Sequence, residues 1–478
     1  MSAIEAAQKF VNFVNVSPTP YHAVNNIKLA LLHDGFTELS ERTGWNAALK
    51  PGQKYFVTRN NSSIIAFTVG GEYVAGNGIA VVGAHTDSPT LRLKPVSKKS
   101  SEGFIQVGVE CYGGGLWHTW FDRDLSVAGR VFISDKQGNY VGKLVKIDKP
   151  ILRIPTLAIH LSKEREKFEF NKEAKLVPIA GQQHIKAEQN DHEHSSCGAK
   201  PTEEQFSSIK ATVERHNEGL LELLATELDV AVSQIEDFEL VLYDHQKSTL
   251  GGLHDEFIFS PRLDNLTSCF CATEGLLAST KTLDTDAGIS MIALFDHEEI
   301  GSSSAQGADG TFLPDVLARL TAFDFATGAA GNFKEQALSK SFLLSSDQAH
   351  GVHPNYADIH EAQNKPQLNR GPVIKINANQ RYATNSAGIV LIKQMATAAE
   401  VPLQLFVVRN DSPCGSTIGP ILASKLGMTT LDLGNPQLSM HSIRETGGTF
   451  DVERLTKLFG AYFGMYAELE PKVLVDGV

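Results

Sequence analysis

The chain has 478 residues, more than one ordinary core organises, and its 42% hydrophobic and 21% charged content is that of a soluble globular protein. A net charge of −12 argues against a nucleic-acid partner or an anionic membrane surface, and no apolar run approaches the ~18 residues of a membrane-crossing helix. Five scattered cysteines without a CxxC pair suit a reducing compartment, and the first residues lack the basic-then-apolar pattern of a signal peptide, so the cytoplasm is the expected location.

In chain order, Ile4, Ala7, Val11 and Val14 share one face of a helix over 4–15 that Pro18 and Pro20 should end. A second helix carries Val24, Ile27 and Leu31, with Gly35 closing it. Ser63 to Val69 and Ile79 to Gly83 are short apolar runs of the buried-strand kind. From 93 to 248 the texture changes: Phe104 to Cys111 and Leu144 to Ile154 suggest β structure. A polar stretch, 182–200, holds His184, His192 and His194, and a helical pattern surrounds Leu220, Leu221, Leu223 and Leu224. These residues are expected to form an inserted, mostly β domain. The His192-Glu-His194 tract is expected to be a solvated loop rather than a metal site. Beyond 249 strands at 289–295, 341–346, 405–408 and 429–433 alternate with helices at 265–279, 313–322, 386–399 and 451–469. That alternation predicts an α/β domain of residues 1–92 and 249–478, its sheet covered by helices on both faces.

In such sheets ligands bind beyond the carboxyl ends of the strands, and the chemistry-bearing residues of this chain cluster there. His85 follows a buried strand with Asp87 two residues on, a carboxylate able to fix its tautomer. Asp264 starts a helix, where an N-cap is the plain alternative. Glu298 and Glu299 follow the 289–295 strand, and alone they would pass for a solvated acidic turn. Asp347 ends the 341–346 strand and His441 follows the 429–433 strand. Two divalent ions ~3.5–4 Å apart require about five protein ligands, one of them a bridging carboxylate. His, Asp, Glu-Glu, Asp and His supply that number and leave one glutamate free as a base. Mixed imidazole and carboxylate donors suit zinc, with manganese or cobalt possible.

Longer motifs run the length of the chain: Tyr21-His22 after Ser-Pro-Thr-Pro, Ala84-His-Thr-Asp-Ser-Pro89, Tyr112-Gly-Gly-Gly-Leu-Trp117 and Ser260-Pro-Arg-Leu-Asp-Asn265. Asp296-His-Glu-Glu-Ile-Gly301, His353-Pro-Asn-Tyr356, Arg409-Asn-Asp-Ser-Pro-Cys-Gly415 and Met440-His-Ser-Ile-Arg-Glu445 continue the series. Through them the sequence resembles the aspartyl aminopeptidases, a family of dizinc metallopeptidases. The resemblance implies a zinc-peptidase-like catalytic domain with a central mixed sheet, and a dimerisation role for the insert at 93–248. It implies that His85 and Asp347 hold one zinc, Glu299 and His441 the other, with Asp264 bridging, Glu298 as general base and Asp87 supporting His85. The family removes N-terminal Asp or Glu from peptides, so Lys375 is the expected partner of the acidic side chain. Tyr382, with Arg381 beside it, and His350 are the other expected substrate contacts. His160 is expected to enter a neighbouring subunit's site within a homodimer that builds a tetrahedral dodecamer.

Plainer alternatives stand beside each role: a strand-edge lysine for Lys375, a core histidine for His350 and a half-buried strand histidine for His160. Cys414 is expected to be a small buried residue rather than a nucleophile. Gln348 and Gly351, and the stretch Thr446-Gly-Gly-Thr449, depart from or vary within the family pattern without touching an expected ligand. The family's vacuolar members carry an N-terminal extension, and a helix beginning at Ile4 favours the cytoplasm over vacuole or lysosome. Two rival functions are a broad neutral aminopeptidase on the same metals and a non-catalytic, self-assembling cargo or scaffold particle.

Overall fold

All seven residues of Ile79–His85 and all seven of Ile289–Phe295 are buried, which a strand achieves only when both faces of its sheet are covered. The computed structural model describes residues 2–163, 165–183, 209–325 and 327–475, and its chain divides into two units. One comprises Met1–Ser88 with Ser248–Val478, and the other Pro89–Lys247. The first boundary precedes the expected residue 92 because Thr90–Ser101 is one continuous strand of the second unit's sheet.

The first unit is built on a nine-stranded mixed sheet. Its spatial order is Thr37–Glu38, Gln53–Arg59, Ser63–Val69, Ile289–Phe295, Ile79–His85, Phe342–Ser346, Thr429–Gly434, Val373–Ile376 and Gln404–Val407. The four strands from Ile289–Phe295 to Thr429–Gly434 run parallel, and their neighbours on either side run antiparallel to them. Side chains alternate between two cores: Ala80, Val82 and Ala84 join one, Ile79 and Val81 the other. The first core packs against the helices Ala3–Asn15, Pro20–His33, Leu263–Ser279, Ser386–Ala398 and Thr449–Leu469, the second against Phe312–Leu320 and Ile418–Leu426. The expected two-sided α/β architecture is therefore present.

Local chemistry explains the helix ends. Ser2 and Glu5 form a reciprocal capping box at the first helix. Pro20 does not end that helix, which stops at Asn15; it sits in the first turn of the second, where a missing N–H costs nothing. Gly35, at φ +82°, follows the second helix in the left-handed conformation that glycine tolerates.

A five-stranded sheet in the same unit went unread in the sequence. Its order is Thr249–Gly251, Phe257–Ser260, Glu445–Gly448, Pro436–Leu438 and Ala349–His350. The second unit is mostly β, as expected, with six antiparallel strands ordered Tyr140–Lys146, Leu125–Ser134, Ile235–Asp244, Thr90–Ser101, Phe104–Tyr112 and Ile179–Gln182. Leu144 to Ile154 is not one strand: the strand ends at Lys146, and beyond it Leu152 and Arg153 form isolated bridges. The helix around Leu220 runs Glu218–Leu228 and buries Leu220, Leu221 and Leu224. His184, His192 and His194 lie outside the described residues.

Helix Leu263–Ser279, which brings Asp264 to the sheet, crosses helix Thr449–Leu469 at a glycine. A Cβ on Gly275 would stand 2.7 Å from the Phe459 Cβ and 3.1 Å from the Gly460 nitrogen, neither of which can swing aside. Gly275→Val should therefore destabilise the fold by about 1–3 kcal/mol, read as a lower denaturant midpoint at unchanged slope. An unchanged midpoint would show that the two helices are not in close packing there.

Candidate metal centre

Parallel register brings three chemically active turns to one edge of the sheet. Phe295 pairs with His85, and Ser345 with Gly83, so the residues after Ile289–Phe295 and Phe342–Ser346 flank the end of Ile79–His85. His297 (φ +66°) and Gly301 (φ +96°) bracket a tight 3-10 turn carrying Glu298 and Glu299. Asp87 holds that turn from below: its Oδ1 accepts the Glu298 N–H and its Oδ2 the Glu299 N–H, each at 3.1 Å. The same residue meets His85 Nδ1, with its main-chain O at 3.0 Å and Oδ1 at 3.3 Å. Asp87 thus supports both His85 and the glutamate pair, and only the former was expected.

Asp264 is no N-cap. It lies at a kink inside Leu263–Ser279, shared with Asn265, and no side-chain cap bond closes the helix start. Its carboxylate lies instead between two imidazoles, Oδ1 3.2 Å from His85 Nε2 and Oδ2 3.5 Å from His441 Nε2. Asp347 Oδ1 stands 3.6 Å from His85 Nε2, and Glu299 Oε2 3.3 Å from His441 Nε2. Glu298 Oε2 is 3.9 Å from His85 Nε2. All six of these expected residues therefore meet in one place.

Burial and like charge act together on this cluster. Burial pushes the Glu298 carboxyl up to about 8, and burial followed by the Asp264 charge puts Glu299 well above the usual carboxylate range. Burial would also raise Asp264, but the imidazoles of His441 and His85 outweigh it and hold its carboxyl low. For His85 burial works towards the neutral ring, and Asp264, Asp347 and Asp87 overcome it. Asp264 Oδ1 and Glu299 Oε1 are buried and accept no well-formed hydrogen bond among the described residues. Unsatisfied buried carboxylate oxygens are costly, and a cation answers both of them at once. The donors fall into three overlapping triads, His85–Asp264–Asp347, Asp264–Glu299–His441 and His85–Glu298–Glu299, each with ligand atoms within 4.8 Å of one another, and the first two share only Asp264. Imidazole nitrogens and carboxylate oxygens in this ratio fit zinc.

Lys375 lies beside the cluster on an interior strand, not at a sheet edge, and is only 2% exposed. Its Nζ is 3.6 Å from Asp347 Oδ2, 3.4 Å from the Gln348 carbonyl and 5.0 Å above the Tyr382 ring. His350, Tyr382, Phe406, Arg409, Cys414 and Gln437 are among the residues lining an adjoining cavity of ≈ 340 Å³. His350 is exposed there, edge-on to Phe406, and is not a core histidine. Cys414 is half-buried with its thiol donating to its neighbour's carbonyl, while Arg381 is exposed. His160 belongs to the second unit, exposed on the 3-10 turn Ile159–Leu161 rather than half-buried on a strand. Sequence reasoning gave no role to Glu445 and Gln437, which are buried beside the cluster, Glu445 accepting the backbone N–H groups of Asp264 and His441. The available signal was an acid four residues after His441.

The chain is similar to known proteins over nearly all of its length. The family model of the aminopeptidase I zinc metalloproteases (M18) matches residues 13–463. Aspartyl aminopeptidase 4 of Saccharomyces cerevisiae is 57% identical over 477 residues, 98% of this chain and 96% of the relative. Aspartyl aminopeptidase of Aspergillus oryzae is 55% identical, over 99% and 98%. Among solved structures, a chain in the cryo-EM structure of the Ape4 and Nbr1 complex superposes with TM-score 0.92 at 51% identity, covering 99% of this chain and 88% of that one. The mApe1 dodecamer of S. cerevisiae gives TM-score 0.83 at 30% identity, over 98% of each chain.

If cations relieve the buried carboxylates, removing them should destabilise the folded chain. Zinc at ~1,000 times its dissociation constant is worth about 4 kcal/mol, so chelation should lower the melting temperature and added zinc should restore it. A melting temperature indifferent to both would mean that the cluster is not a metal centre.

Proposed function

This chain belongs to the M18 family of zinc metalloproteases, and from that premise we propose that it removes N-terminal aspartate, and also glutamate, from peptides with two zinc ions per subunit. The observation that carries this reading is the pair of triads sharing Asp264. His85 and Asp347 would hold one ion, Glu299 and His441 the other, and Asp264 both; manganese or cobalt would suit the same donors. When bound, the ions supply Lewis-acid polarisation of the scissile carbonyl and lower the pKa of the attacking water.

The remaining work falls to the chain's own residues. Glu298 stands outside the two triads that share Asp264, although it groups with His85 and Glu299, and its turn is fixed by Asp87. It takes the proton of the attacking water and returns it to the departing amine. Lys375, buried behind Asp347, presents its ammonium to the substrate's acidic side chain, with Tyr382 and His350 beside it. A neutral side chain would leave that charge unanswered in a closed pocket, which is the origin of the proposed preference.

The mApe1 relative forms a dodecamer, and we extend self-assembly to this chain, with a tetrahedral dodecamer built from dimers of the inserted unit. His160 would then serve a neighbouring subunit. Its flanks support this: Leu157, Ile159 and Leu161 are 61%, 60% and 71% exposed, an apolar strip of the kind that a second copy covers. Among the described residues no helix is long and apolar enough to cross a membrane, and the described cysteines are free thiols. The free thiols fit the reducing cytoplasm proposed for this chain.

Two substitutions separate the roles. Glu298→Gln should keep its zinc yet lose about 10²–10⁴-fold in turnover; full activity would remove Glu298 from the mechanism. Lys375→Ala should lose roughly 10²-fold in kcat/KM on Asp-amides while changing Leu-amides little. Equal losses on both would favour a broad neutral aminopeptidase, and a zinc-replete wild type that hydrolyses neither would favour a scaffold role.

A further inference from the structure

Glu445 opens the strand Glu445–Gly448, is 3% exposed, and has no part in the mechanism above. Its Oε2 accepts the Asp264 N–H at 3.1 Å. Its Oε1 accepts the His441 N–H at 2.9 Å and the Gln437 side-chain amide at 3.0 Å. One side chain thereby fixes the backbones of two residues that are distant in sequence and both belong to the proposed metal centre.

The support extends further. The Gln348 side-chain amide donates to Gln437 Oε1 at 3.1 Å, so both amides point their NH2 groups towards the carboxylate. Gln348 directly follows Asp347, and its carbonyl receives the Lys375 ammonium at 3.4 Å. Gln348, Gln437 and Glu445 are all at most 4% exposed. Three buried polar side chains thus run from the backbones of Asp264 and His441 to Gln348, whose main chain follows Asp347 and meets Lys375; of their side-chain oxygens, Gln348 Oε1 has no well-formed hydrogen bond among the described residues. Buried networks of this kind are rigid when every member is satisfied and costly when one is not.

A carboxylate is required at the end of this chain. Its two oxygens each accept a backbone N–H, whereas an amide of the same shape has one oxygen and would turn an NH2 group against one of those donors. We propose that Glu445 is a positioning residue that sets the aim of Asp264 and His441, and hence the affinity and geometry of the metal pair, with Gln437 and Gln348 as its supports. The inference rests on the metal reading given under the proposed function.

The test compares wild type, Glu445→Gln and Gln437→Leu. Zinc affinity is measured by competition with a chromophoric chelator, geometry by the visible bands of the cobalt(II) form, and folding by the melting temperature without metal. Glu445→Gln should bind zinc 10–100-fold more weakly and shift the cobalt bands, while still folding cooperatively without metal at a lowered melting temperature. Gln437→Leu should produce a smaller change of the same sign. Zinc affinity within twofold of wild type and unshifted cobalt bands in Glu445→Gln would overturn the proposal. Should that variant fail to fold, Gln437→Leu decides: shifted cobalt bands support the proposal and unshifted ones overturn it. A wild type that takes up no zinc would instead sink the metal reading, and this inference with it.

Discussion

Asp264 stands between the imidazoles of His85 and His441, 3.2 and 3.5 Å away, with Asp347, Glu298 and Glu299 gathered behind them. Four carboxylates do not stay together in a buried cleft without an opposing charge, and two imidazoles alone are a weak one. The rest of the first unit can be understood as the means of holding this arrangement. Helices on both faces keep the sheet dry, parallel register aligns three strand ends, and the five-stranded sheet brings His441 and Glu445 to close the fourth side.

The same electrostatics separate two adjacent residues. Glu298 and Glu299 share a turn and a common anchor in Asp87, yet only Glu299 lies against His441 within the triad that Asp264 shares. Glu298 faces His85 at 3.9 Å, and in the proposed mechanism it carries the proton. Lys375 adds the one buried ammonium beside the cluster among the described contacts, and its proximity to Asp347 couples substrate recognition to a proposed ligand. In the proposed function, selectivity and catalysis would thus be set by neighbouring atoms.

Much of this was legible in the sequence, for a physical reason. Parallel strands covered on both faces must be continuously apolar, so Ile79–His85 and Ile289–Phe295 stand out, and residues just past them are natural site candidates. The short strands were not legible: Ala349–His350 and Pro436–Leu438 are two and three residues long and carry no period. Thr90–Ser101 was hidden by its polar, largely exposed second half, and the expected strand from Leu144 to Ile154 read apolar spacing as pairing. Asp264 as a helix cap was chemically reasonable, but two imidazoles compete for the same carboxylate. Glu445 escaped notice because it acts through backbone N–H groups of remote residues, which no local motif records.

The central claim is that Asp264 is shared by two metal ions in one chain. Calorimetric titration of zinc into metal-free protein, with His441→Ala and Asp264→Ala alongside, tests it directly. Two ions per chain are expected in the wild type, one tightly held ion in His441→Ala and severe loss of both in Asp264→Ala. A wild type that binds a single ion, or an Asp264→Ala variant that still binds two, would contradict it.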